Sequence, residues 1–356
     1  MADFSLLDVP RDAPPDPEAY LRAAVAWHFG EETGSPFWLR AKESLGFDPV
    51  AEIRTHADLR RFPDRLGALR DAPIEDLVPR GYGDAVPLVF ESGGTTGAPK
   101  RTAQLPDWVE QVTRWQTGDF ARGGFVSGAG LLGLMPSGPH GVGYFSRAVA
   151  GRLGSAYHTV DFDPRWAKRP VAGGSARETY IAHLAEQARH VIETQNIANL
   201  HVTPPLLTAL ARDDGIAALI AEKVRFILLS GAHVDADTLD VLRDLFPDAA
   251  ITMVYGSTMI LSQCATRDPA ADVFVFDPRS PYVTFRVVDG TGEEVPYGMR
   301  GRVVMNHVSR SMFIPNNLER DTAVRVLGPD GAVGDSVSDV TPVEEFEGER
   351  IVEGVY

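Results

Sequence analysis

Cysteine is almost missing: Cys264 is alone in 356 residues. One thiol excludes a disulfide framework and any zinc site built from cysteines, and it fits a reducing cytosol. Basic residues are the minority, with 34 Lys and Arg against 49 Asp and Glu and a net charge of −15. That balance argues against a general binder of nucleic acid or of anionic membrane, while leaving room for a local basic pocket. No apolar run reaches the ~18 residues of a membrane span. The start, Met1-Ala2-Asp3-Phe4, lacks the basic stretch and apolar core of a secretory signal. Internal repeats and long low-complexity runs are missing as well. The phosphate signature G-x-x-x-x-G-K-[ST] is absent, and no lysine follows Lys223. What remains is an ordinary globular composition, 44% hydrophobic and 23% charged, expected in the cytoplasm with neither nucleic acid nor membrane as partner.

The densest chemistry is Phe90-Glu91-Ser92-Gly93-Gly94-Thr95-Thr96-Gly97-Ala98-Pro99-Lys100-Arg101-Thr102. It follows Val86-Pro87-Leu88-Val89-Phe90, which reads as a buried strand. Glycines let successive backbone N–H groups turn toward one point, and such a concave row is an anion nest. Ser92, Thr95 and Thr96 add hydroxyl donors and Lys100 adds positive charge, a combination suited to a triphosphate. This order of residues resembles the phosphate loop of the AMP-forming acyl-adenylate synthetase superfamily, which runs Ser-Gly-Thr/Gly-Thr-Thr-Gly-x-Pro-Lys.

The rest of the chain alternates apolar runs with helical patterns. Residues 106–122 read as a helix whose Trp108, Val109, Val112, Trp115 and Phe120 stripe is core rather than a ligand platform. Strand patterns at Gly130–Met135, Tyr157–Asp163, Leu200–Thr203, Val224–Leu229 and Ile251–Val254 are separated by helical stretches, which implies an α/β fold with a parallel sheet covered by helices. Ligands on such sheets sit at the carboxyl ends of the strands. The loops after Phe90, Met135, Val202, Leu229 and Val254 are therefore expected along one edge. Residues 273–276, 282–288 and 301–307 read as antiparallel strands of a small barrel-like subdomain, with a turn at Asp289-Gly290-Thr291-Gly292. Residues 1–19 read as an extended arm, 20–29 as a helix, and Thr55 with Asp58 as the capped start of another.

Further motifs carry the resemblance. Ser35-Pro36-Phe37-Trp38 and Thr55-His56-Ala57-Asp58-Leu59 resemble the N-terminal region of the phenylacetate–CoA ligase-like branch. Ser137-Gly138-Pro139-His140-Gly141-Val142-Gly143-Tyr144 resembles the loop that walls the acyl pocket, so His140, Gly141, Tyr144 and Ser230 are the expected substrate pocket; His140 is otherwise an ordinary loop histidine. Ser230-Gly231-Ala232 resembles the segment beside the adenine. Tyr255-Gly256-Ser257-Thr258-Met259 resembles Tyr-Gly-x-Thr/Ser-Glu, which implies adenine stacking by Tyr255 and α-phosphate contact by Thr258. Arg320-Asp321 resembles the segment whose Asp accepts the ribose hydroxyls, and Arg302 replaces a common Glu.

The resemblance implies the large N-terminal domain of the adenylate-forming fold over residues 35–325, after an arm and helix at 1–34 and before a short acidic tail at 326–356. It implies ATP and Mg²⁺, with Ser92, Gly93, Gly94, Thr95, Thr96, Gly97, Lys100, Gly231, Ala232, Tyr255, Gly256, Ser257, Thr258 and Asp321 holding nucleotide. Lys100, Thr96 and Thr258 are the expected catalytic groups. Met259 departs from the family, because a thioether is a poor ligand for a hard cation. Water and phosphates, or another carboxylate such as Glu91, would then have to hold the metal. The expected reaction activates a carboxylic acid, an aryl acid by preference, as acyl-AMP and passes it to CoA, a carrier protein or an amine. The family's mobile C-terminal domain and its lysine have no counterpart in the 35 residues after Asp321, so a partner supplying that domain is also expected. The alternatives are a non-catalytic nucleotide- or acyl-binding relative and an assembly partner in a biosynthetic complex.

Overall fold

Prolines open the helices. Asp16-Pro17, Ser35-Pro36, Asp48-Pro49, Leu105-Pro106 and Thr203-Pro204 each stand at a helix start. Proline's missing N–H would have no partner in the first turn, and its ring presets the helical φ. Asp16 accepts from the Ala19 N–H at 2.8 Å and Asp48 from the Val50 N–H at 3.0 Å, satisfying donors the helix leaves open. The computed structural model describes residues 3–92, 99–163, 175–343, 345–346 and 349–350.

The first helix, Pro17–His28, begins earlier than the sequence pattern suggests, and a short turn at Ser5–Leu7 buries Leu7 within the expected arm. Thr55 does open an element, with the Asp58 carboxylate accepting the Thr55 N–H at 2.8 Å. It is a 3₁₀ turn, His56–Arg61, rather than an α-helix. Pro63 holds Phe62 in extended backbone, which stops the turn after six residues.

Strands β1 (Leu88–Glu91) and β2 (Arg101–Gln104) form an antiparallel hairpin. This corrects the buried strand expected before the glycine-rich stretch. Only Phe90 is buried; Leu88 and Val89 are exposed, and β1 is not part of the parallel sheet. That sheet contains β3 (Gly130–Leu134), β4 (Tyr157–Thr159), β5 (Ile197–Val202), β6 (Phe226–Leu229), β7 (Ala250–Ser257) and β8 (Ser262–Ala265), ordered β4-β3-β5-β6-β7-β8. All neighbours are parallel except β7 and β8. In β6, Phe226 and Leu228 join one apolar core and Ile227 and Leu229 the other. Both faces are therefore covered, which is why β3 and β6 read as unbroken apolar runs and β5 as one interrupted only by Asn199 and His201. The helix Pro106–Arg122 matches its expected bounds, and Ala236–Leu245, opened by Asp235, is a helix the pattern did not reveal.

The second sheet contains β9 (Val275–Phe276), β10 (Val283–Val288), β11 (Arg300–Val308), β12 (Phe313–Val326) and β13 (Ser336–Pro342), ordered β10-β11-β12-β13-β9 and wholly antiparallel. Five strands replace the expected three. β13 falls in the segment expected as a tail from 326, yet it pairs along β12 from Asp321 to Val326. Register shifts interrupt β12 between Thr322 and Val324 and β11 at two places, bending the sheet. The N-terminal helices pack on the start of β12: Phe29, Trp38 and Phe62 surround Phe313, and the Trp38 Nε1–H donates to the Phe313 carbonyl at 2.8 Å. Among the described residues, no helix is long and apolar enough to cross a membrane.

Candidate functional site

The β1–β2 hairpin flanks the glycine-rich stretch in sequence, β1 ending at Glu91 and β2 beginning at Arg101. The Ser92 N–H donates to the Lys100 carbonyl at 2.9 Å, and the Lys100 N–H donates to Ser92 Oγ at 3.0 Å. These two rungs set Ser92 and Lys100 opposite each other. Gly93, Gly94, Thr95, Thr96 and Gly97 lie outside the described residues. One position below, Arg101 Nε donates to Glu91 Oε1 at 2.9 Å. The Glu91 N–H reaches the Pro139 carbonyl at 2.8 Å. The hairpin is thereby tied to the loop after β3, although it lies outside that sheet.

That tie brings two expected regions together. His140 is buried at the start of the helix Gly141–Arg152. Tyr144, one turn further, is exposed and rests its ring 5.6 Å from that of Phe90. A Cβ on Gly141 would meet Leu261 at 3.4 Å and Phe90 at 3.5 Å, so apolar side chains already pack there. His140, Gly141, Tyr144 and Phe90 therefore form one wall beside the hairpin.

Ser230 follows a different course. It is buried, and its Oγ lies 2.8 Å from His201 Nε2. His201 Nδ1 lies 2.8 Å from Ser146 Oγ, which itself donates to the Val142 carbonyl. The three side chains thus form one buried line of hydrogen bonds, with the imidazole donating at one nitrogen and accepting at the other. Burial holds His201 neutral, with its pKa lowered to about 3. Ser230, expected in the substrate pocket, has its hydroxyl engaged with His201. Its neighbour Gly231 adopts φ +79°, a left-handed turn that glycine enters without strain, and Ala232 is half-buried beside it.

Tyr255, Gly256 and Ser257 lie on β7, not in the loop expected after Val254. The strand continues because β8 folds back on it in antiparallel register. A Cβ on Gly256 would come within 1.9 Å of the Ser262 carbonyl oxygen, so this glycine is required by the crossing strand. Ser257 Oγ accepts the Met259 N–H at 3.2 Å, forming the turn that holds Thr258 half-buried. Met259 is 4% exposed and belongs to the apolar core. Its position is packed with hydrocarbon and has no room for a hydrated cation. The Glu91 carboxylate is engaged by Arg101. Among the described residues, no group of three His, Cys, Asp or Glu could hold a metal ion. The described side chains therefore do not fit a protein-built Mg²⁺ site.

The expected adenine and ribose residues do meet. The Tyr255 hydroxyl donates to Asp321 Oδ2 at 2.9 Å, across 66 positions of sequence. The Tyr255 ring packs near Phe276 and Phe285, with centroids 5.7 and 5.8 Å away. Burial raises the Asp321 pKa to about 6, and the negative charge of Glu319 adds to this; the Tyr255 hydrogen bond and the charges of Arg320 and Arg302 act in the opposite direction. Burial, then the Asp321 charge, pushes the Tyr255 phenol well above its ordinary value, so it remains a donor. Arg302, in place of the family's Glu, donates to the Glu319 carbonyl at 2.6 Å and supports this corner.

Sequence reasoning missed the Ser146–His201–Ser230 line and the Glu91–Arg101 pair. The first had one signal, a histidine inside the apolar run Leu200-His201-Val202. The second had none, because the hairpin pairing that makes Glu91 and Arg101 neighbours is visible only in three dimensions.

The family model of the AMP-binding enzyme matches residues 176–311. No curated protein matches the chain. Among solved structures, 2-hydroxyisobutyryl-CoA ligase in the postadenylation state with R3-HIB-AMP is similar over 90% of this chain, at 15% identity and a TM-score of 0.63. The chain spans 65% of that ligase's length. An open conformation of the same ligase with 2-HIB-AMP and CoA is similar over 90% of this chain and 67% of its own, at 16% identity and a TM-score of 0.62. At these identities the likeness is one of fold.

Proposed function

We propose that the chain is a member of the adenylate-forming superfamily and activates a carboxylic acid with ATP, forming an acyl-adenylate and releasing pyrophosphate; the match of residues 176–311 to the AMP-binding enzyme model and the likeness of fold support this reading. A carboxylate oxygen bonds to the α-phosphorus as the bond from that phosphorus to the pyrophosphate oxygen breaks. Both reactants are anions, so the protein must neutralise charge and hold them in line. Lys100 and the Ser92 hydroxyl stand at the mouth of the loop that would take the phosphates, together with Thr95 and Thr96 of the loop itself. Tyr255 and Asp321 would hold adenine and ribose, and Thr258 would meet the α-phosphate. The wall of His140, Gly141 and Tyr144 would bound the acid, and its aromatic character favours an aryl acid. CoA, a carrier protein or an amine would then take the acyl group, with a C-terminal domain, where required, coming from a partner. Mg²⁺ would rely on water and phosphate oxygens, and no step is assigned to it.

The observation that carries this reading is the 2.9 Å Tyr255–Asp321 hydrogen bond, which brings together the two distant motifs expected to hold adenine and ribose. The test is pyrophosphate release from ATP and Mg²⁺ with a panel of aryl and alkyl carboxylates. Release with at least one acid, lost in Lys100→Ala, is expected. No release together with no ATP binding by calorimetry would overturn the proposal. The core position of Met259 favours a second reading, nucleotide binding without turnover. It predicts ATP binding but no pyrophosphate with any acid.

A further inference from the structure

The turn between β7 and β8 spans residues 258–261 and is held under strain. Leu261 adopts φ +34°, in the left-handed region where a Cβ crowds a carbonyl oxygen. Such strain costs free energy and persists only where the surroundings over-determine the backbone, as they do at ligand contacts. Here three consecutive side chains, Met259, Ile260 and Leu261, are buried in the apolar core. Ser257 Oγ accepts the Met259 N–H at the near end of the turn. Thr258 is the one residue of the turn that is not buried.

Two donors from elsewhere in the fold hold the far end. His307 Nδ1, on β11, reaches the Ile260 carbonyl, and the Trp108 Nε1–H, from the helix Pro106–Arg122, donates to the Leu261 carbonyl at 3.2 Å. A carbonyl only accepts, so His307 Nδ1 carries a proton. Both side chains are fully buried, and their rings meet edge to face with centroids 4.5 Å apart. His307 Nε2 lies 2.7 Å from Ser309 Oγ, so the imidazole is anchored at both nitrogens. The Ser309 carbonyl is in turn 2.7 Å from His28 Nε2, in the first helix. Burial of apolar side chains sets no direction for a backbone carbonyl, whereas a hydrogen bond does. A helix and a strand of the other sheet therefore fix the path of the turn, and Thr258 is the residue it presents.

We propose that His307 and Trp108 are positioning residues, whose hydrogen bonds to the Ile260 and Leu261 carbonyls set the Thr258 hydroxyl at the α-phosphate. The inference rests on the reading above that Thr258 meets that phosphate; the buried pair acts only through the turn. Its test compares AMP with adenosine by calorimetry of the full chain, since the two differ only in the α-phosphate and no turnover is needed. AMP should bind more tightly, and Thr258→Val should cut that advantage about fivefold. His307→Leu and Trp108→Phe should each cut it by about threefold or more, with adenosine affinity unchanged. His307→Asn, with an amide N–H for the same carbonyl, should recover most of the loss. Combined with Thr258→Val, either variant should add no further loss, because both act through that hydroxyl. The proposal is overturned if AMP and adenosine weaken together, if the losses add in full, if Thr258→Val leaves the ratio unchanged, or if neither probe binds. Pyrophosphate release decides the adenylation reading separately: its absence with every acid, beside a lost AMP advantage in the variants, would remove turnover and leave this inference standing.

Discussion

The two sheets deliver functional groups in different ways. In the parallel sheet, β3, β5 and β6 are buried along their whole length, so chemistry can appear only past their ends, at His140, Ser230 and Gly231. In the antiparallel sheet, Arg302 and Asp321 lie within strands, beside register shifts. A residue past a strand end tolerates small errors of register; one within a strand changes face with a single slip. Strand β7 joins the two modes. It is parallel to β6 through Met253 and antiparallel to β8 from Val254, and Tyr255 stands just beyond that change. The difference indicates that the Tyr255–Asp321 corner depends on exact pairing, whereas the wall of His140, Gly141 and Tyr144 depends on loops and helix starts.

Acid should separate the two halves most strongly. Burial lowers the pKa of His28 to about 4 and those of His201 and His307 to about 3. A depressed histidine contributes stability that is present above the ordinary pKa near 6.5 and is lost as pH falls toward the folded value, at ~1.4 kcal/mol per pH unit each. Together the three cost about 4 kcal/mol per unit below pH 6.5. Asp321 has the opposite sign: its pKa is raised to about 6, so it restores ~1.4 kcal/mol per unit as pH falls from 6 toward 4. Denaturation midpoints between pH 7 and 5 should fall accordingly. Two of the three histidines serve the antiparallel side, His307 on β11 and His28 against Phe313. Hydrogen exchange at pH 5.5 should open that side first, and uniform opening would remove the distinction.

Gly256→Ala should cost about 3 kcal/mol in urea unfolding, because its Cβ would strike the Ser262 carbonyl of the antiparallel partner. An unchanged midpoint would mean that β8 does not cross there. Nucleoside binding comes next in size. Adenosine, uncharged between pH 5 and 7, should bind more tightly as pH rises through about 6, because the proposed ribose contact needs the ionised Asp321 carboxylate. Asp321→Asn should remove that pH dependence and weaken binding about tenfold at pH 7. Tyr255→Phe removes a hydrogen bond to the ionised form, so it should move the midpoint upward; a fixed midpoint would detach Asp321 from Tyr255. The smallest effect is expected at Gly138→Ala, in the loop after β3. Its Cβ would meet nothing within 4 Å, so stability should change by no more than about 0.5 kcal/mol.

The same contrast explains what the sequence made legible. Parallel strands buried on both faces leave apolar-rich runs, and proline-capped helix starts are local, so these elements could be read closely. The hairpin, the β7–β8 return and the five-strand order depend on partners distant in sequence, and no local pattern encodes them. Tyr255 and Asp321 were visible only as fragments of a familiar order; their hydrogen bond required both sheets. Met259 was recognised as a departure, but only packing identified it as core.

The buried line from Ser146 through His201 to Ser230 has one further consequence. One imidazole links the helix Gly141–Arg152, through β5, to the residue that follows β6. A substitution at His201 would break both links at once and leave two buried hydroxyls short of a partner. The helix that carries Tyr144 and the turn at Gly231 are thereby coupled through a single side chain of the sheet.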